Sequence, residues 1–233
     1  MVIDPQIVSF AQFSPEHLST LVLIATLGVC LFLFRQTLFM HPFFRYLLAI
    51  ILITGEVGYQ IGMIAAGKWS LRGALPLQVS DMAALIAAMM LLTRSRKIAE
   101  VLYFIGIGSA VHALVTPDLG TAPLHILQFF ATHGATVLAC LYMVAAERVH
   151  PPYRVLWLSA LIVTLYGVLI FAVDRFLEAN YLYLMHKPAV SVLNWLGPWP
   201  WYLIWVEVMM LGEFHLLYWL IRRKTDEPRR NEP

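Results

Sequence analysis

The chain has 233 residues, of which 60% are hydrophobic and 13% charged, with a formal net charge of +2. A soluble domain is about 45–50% apolar and about 25% charged, so a soluble fold of this length is excluded, while lipid can cover what a water-facing surface cannot. So small a positive charge gives no ground for a nucleic-acid partner.

The first dozen residues carry no basic run and no small-residue cleavage site follows, so the first apolar stretch reads as a retained helix and not as a signal peptide. In chain order, seven stretches are long enough to cross a bilayer: about 17–37, 43–66, 76–93, 98–117, 123–146, 153–174 and 200–221. Each holds about 18–24 residues, against the roughly 20 that a ~30 Å hydrocarbon core requires. Backbone polar groups in lipid must be satisfied within their own segment, and alternating strand patterns are absent. The predicted fold class is therefore all-α, a polytopic bundle of seven transmembrane helices. Residues 1–222 read as one domain and 223–233 as a disordered basic tail. No internal repeat is present.

Orientation follows from lysine and arginine. Arg35, Arg45, Arg94, Arg96, Lys97, Arg148, Arg154, Arg222, Arg223, Lys224, Arg229 and Arg230 fall on one side, 12 of the 16 basic residues, against Lys68, Arg72, Arg175 and Lys187 on the other. The richer side is predicted to be cytoplasmic, which puts the N-terminus outside and the C-terminus inside. Pro76, Pro123 and Pro200 stand at the starts of three inward-running helices, where a missing N–H costs nothing. Trp199, Trp201 and Tyr202 form an interfacial anchor, and the preceding external loop, about 175–199, is long enough to serve as a lid. Cys30 and Cys140 lie inside apolar stretches and imply no disulfide.

Ionisable and amide side chains inside spans are costly and mark candidate sites. The second span carries Glu56, Tyr59, Gln60 and Met63 on one face, and the third Gln78, Ser80 and Asp81 in its outer turns. The fourth has His112, the fifth His125, Gln128, Thr132 and His133, and the last Glu207, Glu213 and His215. At 1.5 Å per residue, Ser80, Gln128 and His112 fall ~6–8 Å below the outer edge, Glu207 ~10 Å, and His133 and Glu56 ~15 Å. Polar groups from five helices thus converge in the outer half, as a cavity opening outward would require. Acyl transfer needs a nucleophile, a base and a group orienting that base. Ser80 supplies the first, His133 or His112 the second, and Glu207 or Glu56 the third. By helix rise Ser80 is ~8–9 Å shallower than His133, so that pairing needs a tilt or a helix break. Glu56, Gln60, Gln78, Gln128, Asn180 and Tyr202 are the expected substrate-binding groups. Against this stand plainer readings: a membrane serine bonded to its own backbone, a hydrogen-bonded structural histidine, a neutral glutamic acid.

Neither H-x-x-x-H nor H-E-x-x-H occurs, so no metal site is predicted, and the pattern calls for no cofactor. The last span has no lysine to hold retinal.

LPLQVSD from Leu75, YFIGIGSAVHALVTPDLG from Tyr103, FFATHGATVLACLYM from Phe129, NYLYLMHKP from Asn180 and LGPWPWY from Leu196 together resemble the YwaF-type bacterial integral membrane proteins. These in turn are distantly similar to eukaryotic transmembrane acyltransferases of ether phospholipids and to androgen-inducible lipid hydrolases. The resemblance implies a bacterial inner-membrane protein, membrane lipids as partners, and lipid acyl transfer or acyl-ester hydrolysis. It sets Ser80 where many family members have the cysteine of an LPLxxC motif, and His133 at the histidine of F-x-x-HG. Serine is less acidic than cysteine and depends more on its base. The alternative is a non-enzymatic protein that binds or transports a lipid or small molecule.

Overall fold

The computed structural model describes residues 10–120, 122–187 and 192–222. The expected disordered tail, 223–233, lies outside them. The described residues form α-helices and two short 3₁₀ turns, with no strand among them. The helices are α1 (Pro15–Leu33), α2 (Arg35–Met40), α3 (Phe43–Ala65), α4 (Val79–Thr93), α5 (Arg96–Val115), α6 (Pro123–Ala145), α7 (Tyr153–Leu177) and α8 (Trp201–Ile221). Six are long and apolar enough to cross a membrane, and α4 is a shorter apolar helix.

Local chemistry explains the boundaries. Ser14 caps α1 by accepting from the His17 N–H, and Pro123 opens α6 where a proline is free of cost. The first apolar run ends earlier than expected, because Phe34 leaves the helical region and the six-residue α2 starts afresh at Arg35. α4 begins at Val79 instead of near residue 76. Pro76 has no N–H to offer, and the Leu77 N–H turns back onto the Leu75 carbonyl at 2.8 Å, a tight turn in place of a first helical turn. α4 ends on Arg94 with φ 53°, a left-handed cap.

Packing sorts these helices into a centre and a periphery. α3, α4, α5 and α6 contact one another in a ring, α1 lies on α6, and α7 and α8 lie on α5 and on each other. Alanines 83, 84, 87 and 88 give α4 a slim profile, and all four are buried. Gly106 of α5 shows the same economy: a Cβ there would stand 2.9 Å from the Cys140 sulfur of α6. Lipid tails offer no hydrophobic drive between helices, so close backbone approach of this kind is what holds the bundle. At the end carrying the basic connections, Arg94 donates two bonds to Glu147, at 3.0 and 2.7 Å, and Arg96 donates to the Glu147 carbonyl at 2.9 Å. That clamp joins the α4–α5 turn to the α6–α7 turn.

Candidate functional site

The short α4 decides the geometry of the opposite end. Its 15 residues rise about 22 Å, so a helix whose last turn meets the basic connection ends about 8 Å short of the far edge of a ~30 Å core. Ser80 and Asp81, in its first turn, are thereby sunk into the bundle. The segment leading in is held by four side chains. Gln60 of α3 donates to the Ala74 carbonyl at 2.8 Å and accepts from the Trp69 indole at 2.8 Å. Tyr166 of α7 donates to the Leu77 carbonyl at 2.9 Å. Tyr181 donates to the Leu71 carbonyl and accepts from the Leu75 N–H. Gln78, the residue before the helix, accepts from the Leu182 N–H at 3.1 Å. A backbone loop can lie inside a membrane protein only when its polar groups are met in this way.

Ser80 is half-buried, and the Asp81 carboxyl lies against its hydroxyl and the Gln78 backbone N–H. The first intrahelical acceptor at this end serves Met82, so the N–H groups of Ser80 and Asp81 have no partner among the described residues. Glu56 of α3 is 7% exposed and makes no hydrogen bond among the described residues. Asp81 lies close enough to bear electrostatically on both Glu56 and Tyr59. α6 completes the cluster: the His125 and Tyr59 rings lie 5.4 Å apart, and Gln128 donates to the Gly55 carbonyl at 3.2 Å. The Gln128 Oε1 is buried without a partner.

His133 is the eleventh residue of α6 and is 6% exposed. Its Nδ1 stands 2.8 Å from the Phe129 carbonyl, and its ring lies on that of Phe129 at 4.1 Å. A carbonyl only accepts, so Nδ1 carries the proton and Nε2 presents a lone pair. No hydrogen bond joins Ser80 to His133 or His112 among the described residues.

The other expected residues are placed apart. His112 Nε2 pairs with the Glu213 carboxylate of α8 at 3.3 Å, with 59% of its side chain exposed. Glu207 accepts from Thr164 of α7 at 3.2 Å. Asn180 closes its own loop, donating to the His186 carbonyl and accepting from the Met185 and His186 N–H groups. Tyr202, 1% exposed, donates to the Tyr183 carbonyl. Burial and the neighbouring Asp118 hold the Tyr183 phenol above its ordinary value, so it stays a donor to that carboxylate at 3.0 Å.

Sequence reasoning missed Asp174, Tyr166 and Tyr181 as organisers of this end. Asp174, 1% exposed, accepts from the Tyr181 N–H at 2.8 Å and so sets the ring that supports the loop into α4. An acid at the close of an apolar run was a usable signal. Among the described residues no three His, Cys, Asp or Glu side chains converge as metal ligands would.

The model of the TMEM164 family matches residues 12–218, which takes in every crossing helix nearly whole. The chain belongs to the TMEM164 family. This is a family of transmembrane proteins, and the multi-pass membrane character of this TMEM164 member follows from it and from the helices together. No curated protein matches the chain, and no solved structure does.

Proposed function

We propose that this TMEM164-family chain is a YwaF-type protein of a bacterial inner membrane that transfers or hydrolyses acyl groups of membrane lipids, with Ser80 as nucleophile and His133 as base. The observation that carries this reading is the state of the His133 ring. His17 engages both ring nitrogens, His215 engages its Nε2, and His112 and His150 are exposed, whereas His133 is buried with Nδ1 committed and Nε2 unengaged. That arrangement supports a general base.

The remaining parts are consistent with it. The Ser80 Oγ attacks the acyl carbonyl carbon, and its proton passes to His133 Nε2 and then to the oxygen of the departing lysolipid. Water or the hydroxyl of a second lysolipid takes the acyl group in the reverse sense. The free N–H groups of Ser80 and Asp81 at the α4 N-terminus suit the oxyanion. Glu56 and the orphan Gln128 Oε1 are acceptors for the incoming hydroxyl, while Gln60, Gln78, Asn180 and Tyr202 shape the entrance. His112 and Glu207, engaged with Glu213 and Thr164, stay outside this reaction. An apolar crevice of about 380 Å³ between α1, α5 and α6 is lined by Leu21, Ile24, Val111, Leu114, Val137 and Leu141. Val137 and Leu141 sit one and two turns from His133 on the same face of α6, a path for an acyl chain. Productive contact requires Ser80 and His133 to close on the lipid, as catalytic bonds often do only in the complex.

Purified protein in lipid nanodiscs, given phospholipid with a labelled acyl chain and lysolipid, tests this. Turnover is expected in the wild type, with loss in Ser80→Ala and retention or gain in Ser80→Cys, since a thiolate forms more readily. Equal turnover in Ser80→Ala and wild type would remove Ser80 as nucleophile. A second reading, a lipid-binding protein without chemistry, is favoured by the Ser80 hydroxyl lying beside Asp81 and not beside a histidine. Lipid retention without turnover in all three proteins would select it.

We further infer that the end bearing the basic connections is cytoplasmic, giving an external N-terminus and an internal C-terminus. Reporters fused at residues 1 and 233 are expected on opposite sides of the membrane. Finding both on one side would eliminate seven crossings.

A further inference from the structure

We propose that a crevice at the basic end of the bundle, between α1, α6 and α8, is a binding site for the headgroup of a net-anionic glycerophospholipid. The crevice encloses about 370 Å³ and is lined by Phe32, Arg35, Val144, Ala145, Arg148, His150, Leu220 and Ile221. Its composition is divided. Arg35, Arg148 and His150 bring positive or proton-donating groups, while Phe32, Leu220 and Ile221 present an apolar wall. Such a division matches a molecule with a phosphate at one end and an acyl chain at the other.

Among the described residues these charges are uncompensated. The carboxylate nearest in sequence, Glu147, is committed to Arg94 through both of its oxygens. Arg35 and Arg148 make no ion pair among the described residues, and both are exposed. His150 is turned by a bond between its Nδ1 and the Arg148 carbonyl at 2.9 Å, which leaves Nε2 for a ligand. Guanidinium groups match phosphate oxygens in bidentate geometry, and two of them at one site exceed the single charge of a phosphodiester. A choline or ethanolamine ammonium would meet that surplus with repulsion, so the fit is to a headgroup without a cation.

The position agrees. Arg35 opens α2 two residues after the last residue of α1, Arg148 lies three residues past the last of α6, and Ile221 closes α8, so the crevice opens where three helix ends reach the headgroup layer. Basic pockets between helices at this level are suited to anionic lipids. The site lies at the opposite end from Ser80 and does not depend on the acyl chemistry.

Native mass spectrometry of the full chain, released from detergent with phosphatidylglycerol, phosphatidylcholine or inorganic phosphate, tests this. Expected are retained phosphatidylglycerol adducts on the wild type, few phosphatidylcholine adducts and none of phosphate. Loss of one charge-assisted contact to phosphate weakens binding by about tenfold or more. Arg35→Gln with Arg148→Gln should therefore remove the phosphatidylglycerol adducts, while Arg72→Gln at the other end of the bundle keeps them. Arg35→Lys with Arg148→Lys, which keeps the charge, should recover part of the binding and separates lost affinity from lost folding. Equal phosphatidylglycerol retention by the wild type and the double glutamine variant would overturn the proposal, as would equal retention of the two lipids. Binding of inorganic phosphate as tight as that of the lipid would identify a soluble-anion site and overturn it too.

Discussion

His133→Gln is expected to lower lipid turnover by roughly 10²–10⁴-fold, the usual worth of a general base, while leaving the thermal unfolding midpoint close to that of the wild type. The reasoning is specific to the ring. Glutamine has similar reach, and its amide N–H can replace the Nδ1 bond to the Phe129 carbonyl, which the wild type makes at 2.8 Å. It has no basic lone pair to replace Nε2. A structural histidine would therefore be largely rescued by glutamine and a catalytic one would not. Turnover and unfolding measured on one preparation separate the two. If His133→Gln keeps its activity, the base assignment fails, and so does the reading of the free Nε2.

Gly55→Leu is expected to destabilise the bundle by about 3 kcal/mol or more, at or beyond the upper end of ordinary overpacking. Gly55 lies where α3 crosses α6, and a Cβ placed there would collide with the Thr132 hydroxyl. Thr132 is 1% exposed and its neighbour Thr136 is bonded back to the Thr132 carbonyl at 2.9 Å, so this stretch of α6 is held in place. The helices must then separate along the line that also carries Tyr59 against His125 and Gln128 against the Gly55 carbonyl. Unfolding in detergent followed by tryptophan fluorescence gives the measurement. Gly58→Leu, on the same helix with nothing near its Cβ, is the control and should change little. An equal effect at both positions would mean that glycine is required for helix flexibility and not for contact.

Much of the architecture was legible in the chain because lipid imposes a simple rule. Every backbone polar group must be satisfied within its own segment, so length and apolarity alone pick out α3, α5, α6, α7 and α8 to within about three residues. The same rule could not locate the true start of α4 or the end of α1. Pro76 looks like a helix opener, yet the chain turns at Leu75–Leu77 and starts the helix three residues later. Whether a proline opens a helix or precedes a turn depends on what meets the free carbonyls nearby, and here Tyr166 and Tyr181 arrive from residues about 90–110 positions away.

The candidate site divides along the same line. Residue type and spacing singled out Glu56, Ser80, Gln128 and His133, because polar groups in hydrocarbon are conspicuous wherever they point. Depth along a helix follows from rise per residue only when the start of the helix is known, and α4 starts at Val79, not near residue 76. Azimuth was not readable. Ser80, His112 and Glu207 are comparable in depth by sequence, but helix rotation and neighbour choice turn His112 to Glu213 and Glu207 to Thr164, while Ser80 stays beside Asp81. Sequence by itself determined that this chain is a helical membrane bundle with polar groups gathered toward one end and basic groups at the other. Only the tertiary structure decided which of those polar groups share a face, because partnership between helices is set by close packing of small residues such as Gly55, Gly106 and the α4 alanines, and that packing is a relation between segments which no single segment contains.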